Sequence, residues 1–236
     1  KEGTGIKRDD AAAVEWFERA AAQGNVKAYY ALGCCYEDGE GVAKDSEEAV
    51  KLYKRAAEQG NVDAQYNLGI CFDKGIGGEQ NYIEAVYWYK KAAEQGDAEA
   101  QNNLGVCYGN GTGVKKDDAE AVEWYRKAAE QGYDKAQYNL GDCYYDGEGV
   151  ARNYAEAVKW YKKAAEQGHL RAQNNLAFCY DEGRGVKKDY EKAVYWYRKA
   201  AEAGHATSQH NLGECYYKGD GVEQNFSTAA KWYKRA

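Results

Sequence analysis

Five asparagines recur at intervals of 36 residues, in a pattern that could bind the main chain of another polypeptide. They are Asn67, Asn103, Asn139, Asn175 and Asn211. A carboxamide carries both a hydrogen-bond donor and an acceptor, the pair that an extended peptide backbone needs. Asparagine is not a strong helix former, so helix propensity does not explain its recurrence. Two explanations stay open: the amides bind an extended peptide, or each amide satisfies a backbone group of a neighbouring repeat.

Apolar and aromatic side chains accompany these asparagines, either one residue before or three residues after them. They are Tyr66, Tyr138, Ile70, Val106 and Phe178. Large side chains of this kind are the usual anchor points of protein interfaces. Together with the asparagines they form the predicted binding site for a protein or peptide.

The residue types needed for catalysis or metal binding are scarce. The three histidines are His169, His205 and His210, and the first two share a repeat position that a helix start explains. The sequence has no HExxH motif, no CxxC pair and no Gly-Lys-Ser/Thr phosphate loop, and its Gly-x-Gly loops lack the third glycine of a dinucleotide site. We therefore predict no enzyme activity and no catalytic, cofactor-binding or metal-binding residue.

Six of the seven cysteines share one repeat position that faces the predicted core: Cys35, Cys71, Cys107, Cys143, Cys179 and Cys215. Consecutive members should lie about 8 to 10 Å apart, beyond the roughly 7 Å limit between the Cα atoms of a disulfide. Free buried thiols are therefore predicted, and a reducing, cytoplasmic compartment with them. Cys34 lies outside this position, and we predict that it is the most reactive thiol.

Two helices in each repeat must position these residues. Between Asp97 and Tyr108 the recurrent residues fall at i, i+4, i+7 and i+8, which predicts one helix, helix A. From Asp117 a wider apolar stripe predicts a second, helix B. Helix B begins at Asp or Asn, with glutamate three residues later in most copies, which predicts a capping box. The fixed period predicts an all-α solenoid of αα-hairpin repeats.

The predicted boundaries follow this period. A helices are predicted near residues 25–37, 61–73, 97–109, 133–145, 169–181 and 205–217, and B helices near 9–22, 45–58, 81–94, 117–130, 153–166, 189–202 and 225–236. Residues 1–236 are predicted to form a single repeat domain, with full repeats at 25–60, 61–96, 97–132, 133–168 and 169–204 and partial repeats at 1–24 and 205–236. A loop containing Gly3 and Gly5 is predicted before the first helix.

One copy reads Ala64-x3-Leu68-Gly69-x2-Phe72-x2-Gly75-x-Gly77, then Ala85-x2-Trp88-Tyr89-x2-Ala92-Ala93-x-Gln95-Gly96. This unit resembles the Sel-one-like repeat, a relative of the tetratricopeptide repeat, and the likeness covers almost the whole chain. The resemblance implies a right-handed superhelix whose A helices line a concave, protein-binding side. The asparagines fall on positions that line this side in the family.

Charge indicates what kind of partner would bind there. The groove-facing A-helix positions carry five basic residues, Lys27, Lys74, Lys135, Arg171 and Lys218, and ten acidic ones, Glu37, Asp38, Asp63, Asp73, Glu99, Asp142, Asp146, Asp181, Glu182 and Glu214. Five minus ten gives −5, of a net charge of −6 for the chain. Such a groove favours a neutral or basic segment and disfavours nucleic acid. No apolar run approaches the ~20 residues that span a bilayer, so membrane insertion is not expected.

The predicted function is that of an adaptor or scaffold that binds a protein or extended peptide along its A helices. At about three ligand residues per repeat, a fully bound peptide would need roughly a dozen residues. The alternative is a structural or engineered scaffold without a dedicated ligand, which self-associates through end helices carrying Trp16 and Trp232.

Overall fold

A computed structural model describes residues 9–236, and within them it contains thirteen α-helices and no strand. The A helices are α2 (Val26–Asp38), α4 (Val62–Lys74), α6 (Ala98–Asn110), α8 (Asp134–Asp146), α10 (Leu170–Glu182) and α12 (Ala206–Lys218). The B helices are α1 (Asp10–Ala22), α3 (Ser46–Glu58), α5 (Tyr82–Glu94), α7 (Asp118–Glu130), α9 (Tyr154–Glu166), α11 (Tyr190–Glu202) and α13 (Phe226–Tyr233). The all-α fold of consecutive helical hairpins is confirmed. The loop predicted around Gly3 and Gly5 lies outside the described residues.

The helices begin and end within one residue of the predicted positions, except at the last boundary, which differs by three residues. The first residue assigned to each helix is instead its N-cap, which has extended backbone angles, as at Asn61 and Asn81. Helix α13 ends at Tyr233 rather than 236.

The chain divides into two compact units, Lys1–Lys116 and Asp117–Ala236. In the first unit α2 packs against α1 and α3, α4 against α3 and α5, and α6 against α5. In the second, α8 packs between α7 and α9, α10 between α9 and α11, and α12 between α11 and α13. Within each unit, every A helix thus packs against the B helices that neighbour it in sequence. The single domain over residues 1–236 stays a prediction.

The N-caps of the B helices join the two helices of each hairpin. The Asp45 side chain accepts a hydrogen bond from the Glu48 N–H at 3.0 Å, as the predicted capping box requires. The return bond differs, because the Asp45 N–H donates to the Tyr36 carbonyl of α2 at 2.9 Å. The same bond recurs in three other hairpins. There the N–H groups of Asn81, Asn153 and Asp189 donate to the carbonyls of Phe72, Tyr144 and Tyr180, respectively. The glutamate half of the capping box was therefore a wrong prediction, and its place is taken by a bond between the helices.

In four hairpins a tyrosine of helix B packs against a glycine of helix A, whereas α10 carries Ala177 at the equivalent position. A Cβ added to Gly69 would lie 2.5 Å from Tyr89 Cδ1, and one added to Gly141 would lie 2.6 Å from Tyr161 Cδ1. Both tyrosines are almost completely buried, so their rings cannot move aside without opening the core. The glycine lets the two helices approach closely enough for the tyrosine to reach past helix A.

All seven cysteines are free, as predicted. Cys71, Cys107, Cys179 and Cys215 are buried, and Cys35 and Cys143 are half-buried. Burial raises the pKa of Cys107 to about 11 and of Cys179 to about 12, which leaves these thiols protonated and weakly nucleophilic at neutral pH. Cys34 is half-buried, and its sulfur lies 3.5 Å from the Tyr53 hydroxyl. Its greater reactivity stays a prediction.

Candidate functional site

The candidate site is the surface of the A helices that carries the five asparagines. We call it the A-helix face and define it by four positions of each A helix: the asparagine itself, the residue before it, and the residues three and six positions after it. In α6 these are Asn103, Asn102, Val106 and Gly109. Every one of the five asparagines is half-buried, so each amide is held by the protein while part of it faces solvent.

In the second unit the asparagine amides bond to side chains of the preceding A helix. Asn175 Nδ2 donates to Asp142 Oδ1 at 3.2 Å, and Asn211 Nδ2 donates to Asn174 Oδ1 at 3.2 Å. The Asn175 carbonyl oxygen accepts from Asn174 Nδ2 at 3.4 Å. Neighbouring side chains, rather than the backbone groups considered from the sequence, are thus the partners of these two amides.

In the first unit the amides bond to phenols. Burial raises the pKa of Tyr30, and a hydrogen bond with Asn67 opposes that rise. Burial and the charge of Asp73 likewise raise the pKa of Tyr89, and a hydrogen bond with Asn103 opposes it. An amide that lowers a phenol's pKa acts as a donor to its oxygen. A phenol is a partner in the second unit too, because a hydrogen bond with Asn175 opposes the raised pKa of Tyr138; what changes along the chain is the additional partner, a carboxylate for Asn175 and an amide for Asn211.

Tyrosines of the B helices reach through to the A-helix face. The Tyr53 hydroxyl donates to Glu37, the Tyr161 hydroxyl to Asp142 at 2.6 Å, and the Tyr233 hydroxyl to Glu214 at 2.8 Å. Burial raises the pKa of Asp142, whereas bonds from Tyr161, Tyr138 and Asn175 oppose the rise. Sequence reasoning missed these tyrosines as site residues, although they recur with the same 36-residue period.

The predicted anchor residues have different surroundings. Tyr138 stacks on His169 with ring centroids 4.7 Å apart, and Tyr66 packs beside Tyr89 at 6.1 Å. Val106 is exposed, and Ile70 is half-buried. Tyr66 and Tyr138 therefore pack mainly within the protein, while Val106 is the anchor that faces solvent.

Phe178 is half-buried, and the Arg184 guanidinium lies 5.2 Å from its ring centroid. This cation covers part of the ring, so Phe178 is a partly shielded anchor.

Two pockets of the same construction open on this face, one in each unit. The first has a volume of about 230 Å³ and is lined by Asp73, Tyr89, Asn103, Val106, Cys107, Asn110 and Thr112. The second has a volume of about 160 Å³ and is lined by Phe178, Asp181, Tyr197, Asn211, Glu214, Cys215, Lys218 and Asp220. In both, an aspartate, a tyrosine, a repeat asparagine and a core cysteine occupy equivalent repeat positions. The predicted residues Asn103 and Val106 thus share one pocket, and Asn211 and Phe178 share the other.

A second column of amides, which sequence reasoning missed, lies two residues before the asparagines. Its members are Gln65, Gln101, Gln137, Gln173 and Gln209, and all five are buried. Each Nε2 donates to the carbonyl eight residues earlier, at the end of the preceding B helix, over 3.0 to 3.2 Å. Helix ends leave such carbonyls without intrahelical partners. The signal was available, because glutamine recurs as regularly here as asparagine does.

No group of three or more His, Cys, Asp or Glu side chains within residues 9–236 is arranged to hold a metal ion. None of the helices in this part of the chain is long and apolar enough to cross a membrane.

Comparison with known families gives one match that covers the chain. The model of the Sel1 repeat matches residues 1–25, 26–61, 62–97, 98–133, 134–169, 170–205 and 206–236. A search of curated proteins gives no match.

Three solved structures place the fold among similar proteins. The protective antigen c5321 of uropathogenic Escherichia coli, which displays an SLR fold, is 43% identical with a TM-score of 0.91, over 94% of this chain and 48% of its own. This chain therefore spans about half the length of that protein. A Sel1 repeat protein from Oxalobacter formigenes is 36% identical with a TM-score of 0.82, over 97% of both chains. A putative Sel1 repeat protein from Klebsiella pneumoniae is 20% identical with a TM-score of 0.52, over 85% of this chain and 98% of its own, and shows the fold alone.

Proposed function

The chain belongs to the Sel1 repeat family, whose members are generally protein–protein interaction scaffolds, and from this premise we propose that its A-helix face binds an extended segment of a protein partner. The observation that carries the proposal is the half-burial of all five asparagines. Their side chains are held by hydrogen bonds to the protein, so little further entropy is lost when a ligand binds them. An amide has four hydrogen-bonding positions, which leaves capacity for a peptide main chain.

Charge supports a neutral or basic partner. Two half-buried carboxylates of the face illustrate this, because burial raises the pKa of both Asp142 and Asp181. A carboxylate in such surroundings gains from a nearby cation. Acidic peptides and nucleic acids would add like charge to this surface and are disfavoured.

The family is one of non-enzymatic scaffolds, and we extend that to this chain: binding is its activity, without catalysis, cofactor or metal. The protonated, unpaired core thiols support a reducing, cytoplasmic compartment. Mass spectrometry after thiol labelling of protein prepared without reductant would test this, since disulfides between repeats would contradict it.

Selection from a displayed library of random peptides about twelve residues long tests the proposed function. Val106→Arg places a bulky cation on the A-helix face, whereas the matched control Ile83→Arg changes an exposed residue of α5. We expect selected peptides to be poor in Asp and Glu, and to bind the Val106→Arg variant at least about tenfold more weakly than the parent or the control. Peptides that bind all three proteins equally would contradict the proposal.

The alternative, a scaffold that self-associates through its end helices, has one supporting observation. Trp16 of α1 is 65% exposed, with the Arg19 guanidinium 5.0 Å from its ring centroid. Trp232 differs from expectation, because it is half-buried against the core of the second unit. Light scattering over a range of concentrations would decide: a monomer throughout removes the alternative, and association that Trp16→Ser abolishes supports it.

A further inference from the structure

Two equivalent pockets on the A-helix face, those that contain Asn103 and Asn211, occur in repeats where a buried tyrosine hydroxyl lacks the carboxylate partner found in other repeats. Tyr89 and Tyr197 are each only 2% exposed, and each lines a pocket. Within residues 9–236 neither hydroxyl donates a hydrogen bond to a protein acceptor. A phenol oxygen has two lone pairs, so each keeps the capacity to accept a hydrogen bond from a ligand in its pocket.

The length of the acidic side chain explains why the Tyr53 hydroxyl has a carboxylate partner while those of Tyr89 and Tyr197 have none. The first repeat supplies Glu37, which reaches the Tyr53 hydroxyl. The equivalent residues beside Tyr89 and Tyr197 are Asp73 and Asp181, which are one methylene shorter.

Other repeats place the acid three residues earlier on helix A. Asp142 and Glu214 stand there and accept from Tyr161 and Tyr233. That earlier position holds the apolar Ile70 and Phe178 in the two repeats with pockets. A hydroxyl and a carboxylate therefore line each pocket without bonding to each other.

Both pockets are negatively charged. The first contains Asp73 as its one ionisable carboxylate and no basic residue. The second contains Asp181, Glu214 and Asp220 against Lys218, whose ammonium already pairs with Glu214 at 2.9 Å. Among the described residues, the carboxylates of Asp73 and Asp181 take part in no ion pair. A cation that reaches either pocket would meet an uncompensated carboxylate beside a phenol oxygen.

Building on the proposed function, we propose that each pocket binds one arginine side chain of an extended partner segment. The planar guanidinium presents several N–H donors at fixed angles, so it can donate to the aspartate carboxylate and the tyrosine oxygen together. The repeat asparagine, Asn103 or Asn211, lies at the same pocket and is available to the adjacent peptide backbone. Lysine has three N–H donors on its ammonium but lacks the planar fork that matches a carboxylate, so it is the weaker ligand.

NMR titration of the ¹⁵N-labelled chain with N-acetyl-arginine methylamide tests the proposal, with the uncharged isostere N-acetyl-citrulline methylamide as the matched ligand. We expect the arginine compound to shift the amide signals of Val106 and, separately, of Glu214. The dissociation constant should be at least about tenfold lower for arginine than for citrulline. Equal shifts with both compounds, or shifts elsewhere on the chain, would overturn the proposal.

Substitutions that keep the charge but close the pocket test it further. Asp73→Glu should place its carboxylate where Glu37 lies in the first repeat, bond to Tyr89 and abolish only the shifts at Val106. Asp181→Glu should abolish only those at Glu214. The matched control Asp146→Glu, on an exposed acid outside both pockets, should change neither. Melting temperatures of all three variants check folding, and unchanged arginine binding in the first two would refute the pocket assignment.

Failure of this proposal is distinguishable from failure of the proposed function. If library peptides bind through Val106 but the chain shows no preference for the arginine compound over the citrulline compound, only the assignment of the pockets to arginine is refuted. Arginine shifts that depend on Asp73 and Asp181, with no library peptide bound to the face, would refute the extended-peptide function alone.

Discussion

Two columns of amide side chains run along the A helices two residues apart, and they differ in burial and in partners. The glutamine column is buried, and each member has the same kind of partner, a carbonyl at the end of the preceding B helix. The asparagine column is half-buried, and its partners change from repeat to repeat. A backbone carbonyl is present whatever the neighbouring sequence is, so it fixes the glutamine. The asparagines bond to side chains that vary, which makes them less necessary to the fold.

The largest expected effect comes from breaking the buried column. Gln65→Ala removes two hydrogen bonds, from Gln65 Nε2 to the Ala57 carbonyl at 3.0 Å and from Gln95 Nε2 to Gln65 Oε1 at 2.7 Å, while the Gly60 N–H remains bonded to that carbonyl. We expect the free energy of unfolding to fall by about 2–3 kcal/mol. Asn67→Ala on the same helix is the matched control and should cost less than about 1 kcal/mol. Chemical denaturation measures both, and equal losses would erase the distinction between the columns.

A natural gap in the buried column allows the reverse experiment. Gln95 and Gln167 donate to the side-chain oxygens of Gln65 and Gln137, but Ala203 stands at the position that would serve Gln173. Gln173 Oε1 is accordingly a buried acceptor without a hydrogen-bond partner.

Ala203→Gln should supply that donor and stabilise the protein by about 1 kcal/mol. Ala203→Met, of similar length but without the amide, should show no such gain. Thermal melts of the two variants beside the parent check this, and equal melting temperatures for glutamine and methionine would contradict the role of the hydrogen bond.

The starts of the A helices vary as the asparagine partners do, and the two that begin at a histidine, His169 of α10 and His205 of α12, should respond to pH. Asn61 caps α4 through its side-chain oxygen, whereas His169 caps α10 by accepting the Ala172 N–H on Nδ1 at 3.2 Å. Burial lowers the pKa of His169, with Lys135, Arg171 and His205 also lowering it and Asp134 opposing.

Because the folded state disfavours the protonated ring, this cap contributes fully above the unfolded pKa of about 6.5 and is lost as pH falls below it. The loss should be about 1 kcal/mol or less. His169→Asn should remove this part of the pH dependence, as judged from melting temperatures of parent and variant between pH 7.5 and 5. Identical pH profiles would show that the histidine cap has no such role.

Much of the fold was predictable because its causes are local and repeated. Glycine stops, Asp or Asn caps and the 36-residue period specify the helices without any knowledge of packing. The Glu48 half of the capping box failed for a non-local reason, since the Asp45 N–H bonds to the facing helix instead.

The candidate site was less predictable than the helices. The positions of the asparagines on helix A followed from the period, but their partners did not, because these lie on the preceding repeat or on helix B. The pockets depend on whether an acid side chain reaches a tyrosine across the hairpin, as Glu37 does to Tyr53. Whether one methylene more or less allows this contact can be judged only when the positions of both helices are known.

The most direct test of the central claim, that the asparagine column serves a ligand, measures affinity and stability on one variant. Asn103, Asn139 and Asn175 are replaced together by alanine, and a peptide selected against the parent is titrated into both proteins. We predict that the dissociation constant rises at least about tenfold while the melting temperature changes little. A large fall in melting temperature with unchanged affinity would show that the asparagines serve the fold alone, and would contradict the claim.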